Sequence, residues 1–154
     1  MKHDPYMPYI TCGKVSENTL PVHRSVNEGP IVLAELKVHS RHPQPHVLLN
    51  YSQNLSYQVL GENPEIQLTY QLVKTPYKGD PVLLETWNFG VSLVFPANVS
   101  DLNTVEPLVL NYCDHTDITP QTQIHYSFQL SEIKTNHSSI EVLSQTASAI
   151  ILNV

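Results

Sequence analysis

The sequence predicts an all-β protein, an antiparallel two-sheet sandwich, and three observations lead there. First, Ile66-Gln67-Leu68-Thr69-Tyr70-Gln71-Leu72 and Gln123-Ile124-His125-Tyr126-Ser127-Phe128-Gln129-Leu130 alternate apolar and uncharged polar side chains. A period of two is the signature of a strand with one face buried and the other wet. Second, similar runs recur from residue 30 to the C-terminus, separated by Pro- and Gly-bearing turns. Third, no stretch carries the 3.6-residue period of an amphipathic helix.

The elements follow in order. Residues 1–29 hold Pro5, Pro8 and Pro21 with Gly13 and Gly29, and they show no sustained periodicity. Proline lacks the N–H that a ladder needs, so this segment reads as an N-terminal arm with at most a short pairing stretch over 9–15. Its Tyr6, Met7, Tyr9 and Ile10 are apolar groups that a solvated tail does not need. Residues 30–154 read as the sandwich domain. The first strand, over 31–39, puts Val32, Ala34, Leu36 and Val38 on one face against Glu35 and Lys37. Residues 46–51 align Val47, Leu49 and Tyr51; 53–60 is weaker, a loop or an edge. The cleanest strand is 65–74, followed by a Pro- and Gly-rich turn over 75–81. A long strand over 82–95 aligns Trp87, Phe89, Val91, Leu93 and Phe95, with Gly90 marking a bend or bulge. After a polar loop over 97–106, Leu108, Leu110 and Tyr112 share a strand face opposite Cys113. Strands over 123–133, 139–143 and 147–152 complete the set. Eight or so strands at this spacing give a jelly roll or an immunoglobulin-like sandwich. The order Cys12, Trp87, Cys113 exists, but Cys12 lies in the arm, which favours the jelly roll.

At 154 residues the chain makes one domain, able to bury roughly 70% of its unfolded surface and needing no cofactor to hold a core. Charged residues are only 14% of the chain, where about 25% is usual. Asn, Gln, Ser and Thr fill the polar positions, which removes a common defence against edge-to-edge association. Net charge is −6 and the Lys and Arg are scattered singly, so nucleic acid is an unsuitable partner. The N-terminus lacks the apolar run of a secretory signal, and no stretch is long enough to span a bilayer as a helix. The expected product is made in the cytoplasm without a signal peptide and without membrane insertion. N-x-S/T matches such as those at Asn54, Asn98 and Asn136 are expected by chance in a chain so rich in Asn and Ser.

Catalytic and ligand chemistry finds little to build on. His39, His42 and His46 fall within eight residues, but Pro43 and Pro45 stiffen the stretch and no fourth ligand lies nearby. No metal or cofactor is expected. There is no G-x-S-x-G elbow and no matched carboxylate couple, and the nearness of Cys113 to His115 is a weak cue because catalytic Cys and His usually come from distant segments. The chain therefore reads as a non-enzyme. Tyr51, Tyr70, Tyr112 and Tyr126 fall in phase with aliphatic neighbours, which places them in the core rather than on a sugar-binding platform. The thiols stay open: a bond within the chain would close about 100 residues, worth roughly 4–5 kcal/mol in the chain-entropy model, a bond to a neighbour would lock an assembly, and free thiols are the rule without secretion.

Several short motifs carry a resemblance. They are Thr11-Cys12-Gly13, Leu20-Pro21, Ile31-Val32-Leu33-Ala34, the run Pro45-His46-Val47-Leu48-Leu49-Asn50-Tyr51-Ser52, Leu68-Thr69-Tyr70-Gln71-Leu72-Val73-Lys74 and Tyr112-Cys113-Asp114. In that order, over about residues 11–153, the chain resembles small β-sandwich proteins of spore-forming Firmicutes, similar in style to endospore-appendage and exosporium fibre subunits. The resemblance implies a jelly roll whose N-terminal connector docks on neighbouring copies, with Cys12 as connector thiol and Cys113 as its acceptor. Tyr9, Ile10, Thr11 and Gly13 would share that inter-subunit contact. It further implies a self-assembling subunit of a fibre or surface layer at the spore surface or in an extracellular appendage, made in the mother cell, with other spore-surface proteins as neighbours. Such subunits are often rich in Cys, whereas this chain has two, which makes any covalent network sparse. The competing expectation, from a different class, is a carbohydrate- or ligand-binding β-sandwich module.

Overall fold

A computed structural model describes residues 7–17, 19–39, 43–92, 102–116 and 123–152. Among the described residues ten strands run in chain order: β1 (Tyr9–Cys12), β2 (Lys14–Val15), β3 (His23–Arg24), β4 (Ile31–His39), β5 (His46–Val59), β6 (Glu65–Thr75), β7 (Val82–Ser92), β8 (Leu102–His115), β9 (Gln123–Asn136) and β10 (Ser138–Leu152). One 3-10 turn, Val26–Glu28, is the only helical segment among the described residues. None of their helices is long and apolar enough to cross a membrane.

The strands form two packed antiparallel sheets. Sheet A has the order β1-β10-β5-β8; sheet B has the order β2-β4-β9-β6-β7, with β3 pairing β9 beyond the end of β4. Inward alternation fills the space between them. Leu36, Val38, Tyr126 and Phe128 from sheet B meet Leu49, Tyr51, Leu55 and Ile151 from sheet A, all at 1% exposure or less. The expected all-β sandwich is present.

Three local devices explain how one chain closes two sheets. At Gly13 the chain leaves sheet A, where its N–H donates to the Ala147 carbonyl (2.8 Å), and enters sheet B through β2. A Cβ here would lie 2.8 Å from Ala147 Cβ, 2.9 Å from Leu36 Cδ2 and 3.0 Å from the Glu35 carbonyl, so only glycine passes. At the other corner a single residue, His137 (φ 46°), separates β9 in sheet B from β10 in sheet A. Its carbonyl accepts the Leu60 N–H at 2.8 Å, and its Nδ1 donates to the Glu62 carbonyl at 2.6 Å. Finally, single-residue bulges at Leu33, Leu84, Ser131 and Leu143 bend the strands that carry them.

The structure corrects several element expectations. Residues 53–60, read as loop or edge, belong up to Val59 to β5, a central strand of sheet A. The two C-terminal strands are one, interrupted in phase by the Leu143 bulge. Gly90 pairs Gln67 in register; the extra residue in β7 is Leu84. Residues 102–106, read as part of a polar loop, belong to β8, which begins at Leu102. Leu93 and Phe95, read as continuing β7, and His42 lie outside the described residues.

Candidate functional site

The arm residues singled out in the sequence occupy one edge of sheet A. Tyr9, Ile10, Thr11 and Cys12 pair Ile151, Ile150, Ala149 and Ser148 of the same chain. Alternation turns Tyr9 and Thr11 inward and leaves Ile10 (67% exposed) and Cys12 on the outer face. Cys113 sits on β8, the opposite edge, in the row Ile10–Ile150–Leu48–Cys113. Both thiols are free and exposed on the same outer face. Three strand spacings, roughly 14 Å, plus a two-residue offset separate them, whereas a disulfide needs Cα atoms within about 7 Å. A bond between them inside one chain is incompatible with this fold. That also removes the immunoglobulin-type Cys–Trp–Cys core.

Charge divides the two sheets. Among the described residues, the outer face of sheet B carries Lys14, Glu35, Lys37, Glu65, Glu132 and Lys134. The outer face of sheet A carries Glu141 alone, His being counted neutral. Its centre is built of hydroxyls and amides that bond across strands: Ser52 to Thr146 at 2.8 Å and Asn54 to Ser144 at 3.0 Å. One end is apolar, with Leu48, Ile150, Leu152 and Ile10 beside the edge-to-face ring pair of His46 and His115 (centroids 4.2 Å apart). Among the described residues, strand β8 is a free edge of 14 residues without Lys or Arg, and its outward Val105 and Val109 are 54% and 59% exposed. Pro107 is its main guard against pairing.

Polar groups inside the sandwich link the sheets. Asp114 of β8 accepts from Tyr126 (2.7 Å) and pairs with Lys74 (2.6 Å), both from sheet B. The one Tyr51 hydroxyl proton is shared between Gln53 Oε1 (2.6 Å) and Gln145 Oε1 (2.9 Å), while Gln53 donates to Tyr70 (2.6 Å). Gln145 in turn donates to the Ser16 carbonyl, which ties the arm to the core. Among the described residues no buried side-chain polar atom lacks a partner.

Burial pushes the Tyr51, Tyr70 and Tyr126 hydroxyls far above the ordinary tyrosine range; the Asp114 carboxylate beside Tyr126 adds to its shift. The unfolded chain releases these protons from about pH 10 upward while the folded chain keeps them. Their contribution is therefore complete below pH 10 and shrinks above it, by about 1.4 kcal/mol per pH unit for each tyrosine. An alkaline titration followed by tyrosinate absorbance should show these three ionising only together with cooperative unfolding. Smooth ionisation with the sheets intact would contradict the burial.

Of the three histidines, His39 and His46 lie among the described residues and meet different partners. His39 Nε2 bonds the Gln123 amide at 3.1 Å, and His46 packs on His115. No group of three His, Cys, Asp or Glu that could hold a metal occurs among the described residues. A groove of about 450 Å³ runs beside β10 where β1 has ended, lined by Val15, Glu17, Leu20, Ile140, Glu141 and Val142 among others. It brings the Glu17 and Glu141 carboxylates near apolar walls.

The sequence located the thiols and the low charge, but not the concentration of uncharged surface on one sheet. A signal was present: Val47-Leu48-Leu49 and Ala149-Ile150-Ile151-Leu152 are continuous apolar runs, which alternation alone does not explain. They mark strands apolar on both faces. Compared with known protein families and with curated proteins, the chain matches none.

Proposed function

We propose that this chain is a structural subunit that assembles with copies of itself into a fibre or surface layer. The observation that carries the reading is the long outer strand β8, without Lys or Arg and with Cys113 on it, opposite an edge that bears Cys12 and belongs to the arm. The four strands of sheet A alternate in direction, so β1 and β8 run oppositely. Translating one copy beside another thus sets β8 of the first antiparallel to β1 of the second. A displacement of two residues brings Cys113 level with the neighbour's Cys12, and outward residues stay outward. Such a contact is heterologous and propagates instead of closing; main-chain hydrogen bonds join the copies as in strand addition. Tyr9, Ile10, Thr11 and Gly13 are then the arm's share of the contact. The strand order, β1-β10-β5-β8 over β4-β9-β6-β7, supports a jelly roll. The likeness to spore-appendage subunits supports a place on the spore surface among other surface proteins.

Negative-stain electron microscopy of the purified protein, with gels run with and without reductant after incubation in oxidised glutathione, tests this. Fibres with a reducible ladder that Cys113→Ser removes are expected. Fibres without a ladder would keep the assembly and discard the disulfide; dispersed monomers across salt and pH would overturn the reading.

A further inference from the structure

We infer that the outer face of sheet A is a second contact surface, closed by the same face of another copy about a two-fold axis. This contact is distinct from the edge pairing above and does not depend on it. The argument begins with the charge asymmetry between the two sheets. A face whose described residues hold one formal charge, Glu141, offers no counter-charge to an acidic or basic partner. What matches it is another uncharged face that is apolar at the same end.

Size agrees with that occupant. Four strands of up to 15 residues, at about 4.8 Å spacing and 3.3 Å per residue, and with β1 short, give a face of roughly 700–750 Å². A stable interface takes about 800 Å² from each partner. Part of the polar centre is already bonded within the sheet. The Ser52–Thr146 and Asn54–Ser144 pairs give each other a partner there, so covering these four side chains costs less than covering unpaired ones.

The pattern selects the axis. With the two-fold parallel to the strands, the apolar end made by Leu48, Ile150 and Leu152 meets its own copy, and Glu141 stays towards the far end. The rotation lays β8 over the flank of the second copy where β1 ends. There the exposed Leu143 stands level with the row that contains Pro107, so the apolar stripe of β8 gains an apolar neighbour. The contact is isologous and closes on itself, at the spacing of about 10 Å usual for stacked sheets.

Sedimentation equilibrium of the full chain in reductant, over a range of concentrations, tests the pairing. A reversible dimer is expected. Thr146→Lys and Asn54→Lys place like charges near the covered centre and should each weaken the dimer about tenfold or more. Gln67→Lys adds the same charge to an exposed position on sheet B and should leave the dimer unchanged. Thermal melts establish that all three variants fold. A chain that is monomeric throughout, or one weakened equally by Thr146→Lys and Gln67→Lys, overturns the proposal. Fibres that persist in Thr146→Lys while the dimer weakens support a face contact separate from the edges.

Discussion

Replacing Asp114 with alanine is expected to lower stability by about 3–5 kcal/mol, the loss typical when one partner of a buried ion pair is removed. Lys74 Nζ (2.6 Å) and the Tyr126 hydroxyl (2.7 Å) converge on the same carboxylate oxygen, and Asp114 is only 6% exposed. Without it an ammonium and a hydroxyl remain in the sandwich with nothing to bind. The location sharpens the effect, because Asp114 is the polar bridge from β8 to β6 and β9 across the two sheets. The double variant Asp114→Leu with Lys74→Met removes both charges and should recover most of the loss, since apolar replacements of whole buried pairs are often neutral. Chemical denaturation measures both. A loss under about 1 kcal/mol for Asp114→Ala would mean that water reaches the lysine and that the bridge is not buried in solution.

Phe128→Ala should cost a similar amount, about 3–5 kcal/mol, through a cavity at the centre of the core. Phe128 is fully buried, with its ring stacked on Tyr51 from sheet A at 5.2 Å and on Trp87 at 6.3 Å. Its strand, β9, lies between β4 and β6, so neighbouring backbone on both sides resists collapse into the void. The same substitution frees one face of Trp87, and the emission of this single tryptophan should shift to the red. A stable variant with unchanged emission would contradict the stacked arrangement.

The parts of this fold legible in the sequence are those where one face is apolar and the other polar without exception. The strands β6 and β9 read cleanly because Ile66, Leu68, Tyr70 and Leu72, and Ile124, Tyr126, Phe128 and Leu130, all point inward. The second half of β5 did not, because Gln53 occupies an inward position and breaks the period. Only the three-dimensional arrangement supplies Tyr51 and Tyr70 as its partners. β10 looked like two strands because Leu143 adds one residue and reverses the phase; a bulge has no signature beyond that slip. The candidate site was legible in its chemistry and not in its placement. Cys12 and Cys113 were identified, but their position on opposite edges of one face depends on strand order, which local sequence does not encode. Cys12 itself lay in a segment too rich in proline and glycine to read as a firm strand, yet Tyr9–Cys12 pairs because β10 presents a ready edge.

The order of the strands has a consequence for biosynthesis. β9 and β10, the last two strands in chain order among the described residues, lie inside their sheets: β9 joins β4 to β6, and β10 joins β1 to β5. Tyr9 must therefore wait for Ile151, about 140 residues later, which at translation speeds of 5–20 residues per second is on the order of ten seconds. A growing chain thus holds no complete sheet, and β1 has no strand to dock on before β10 emerges. The β1 edge of the proposed contact comes into being only once β10 has been made, whereas β8 can pair with β5 before then. In the proposed assembly, the topology alone holds back the β1 side of the contact until β10 has emerged.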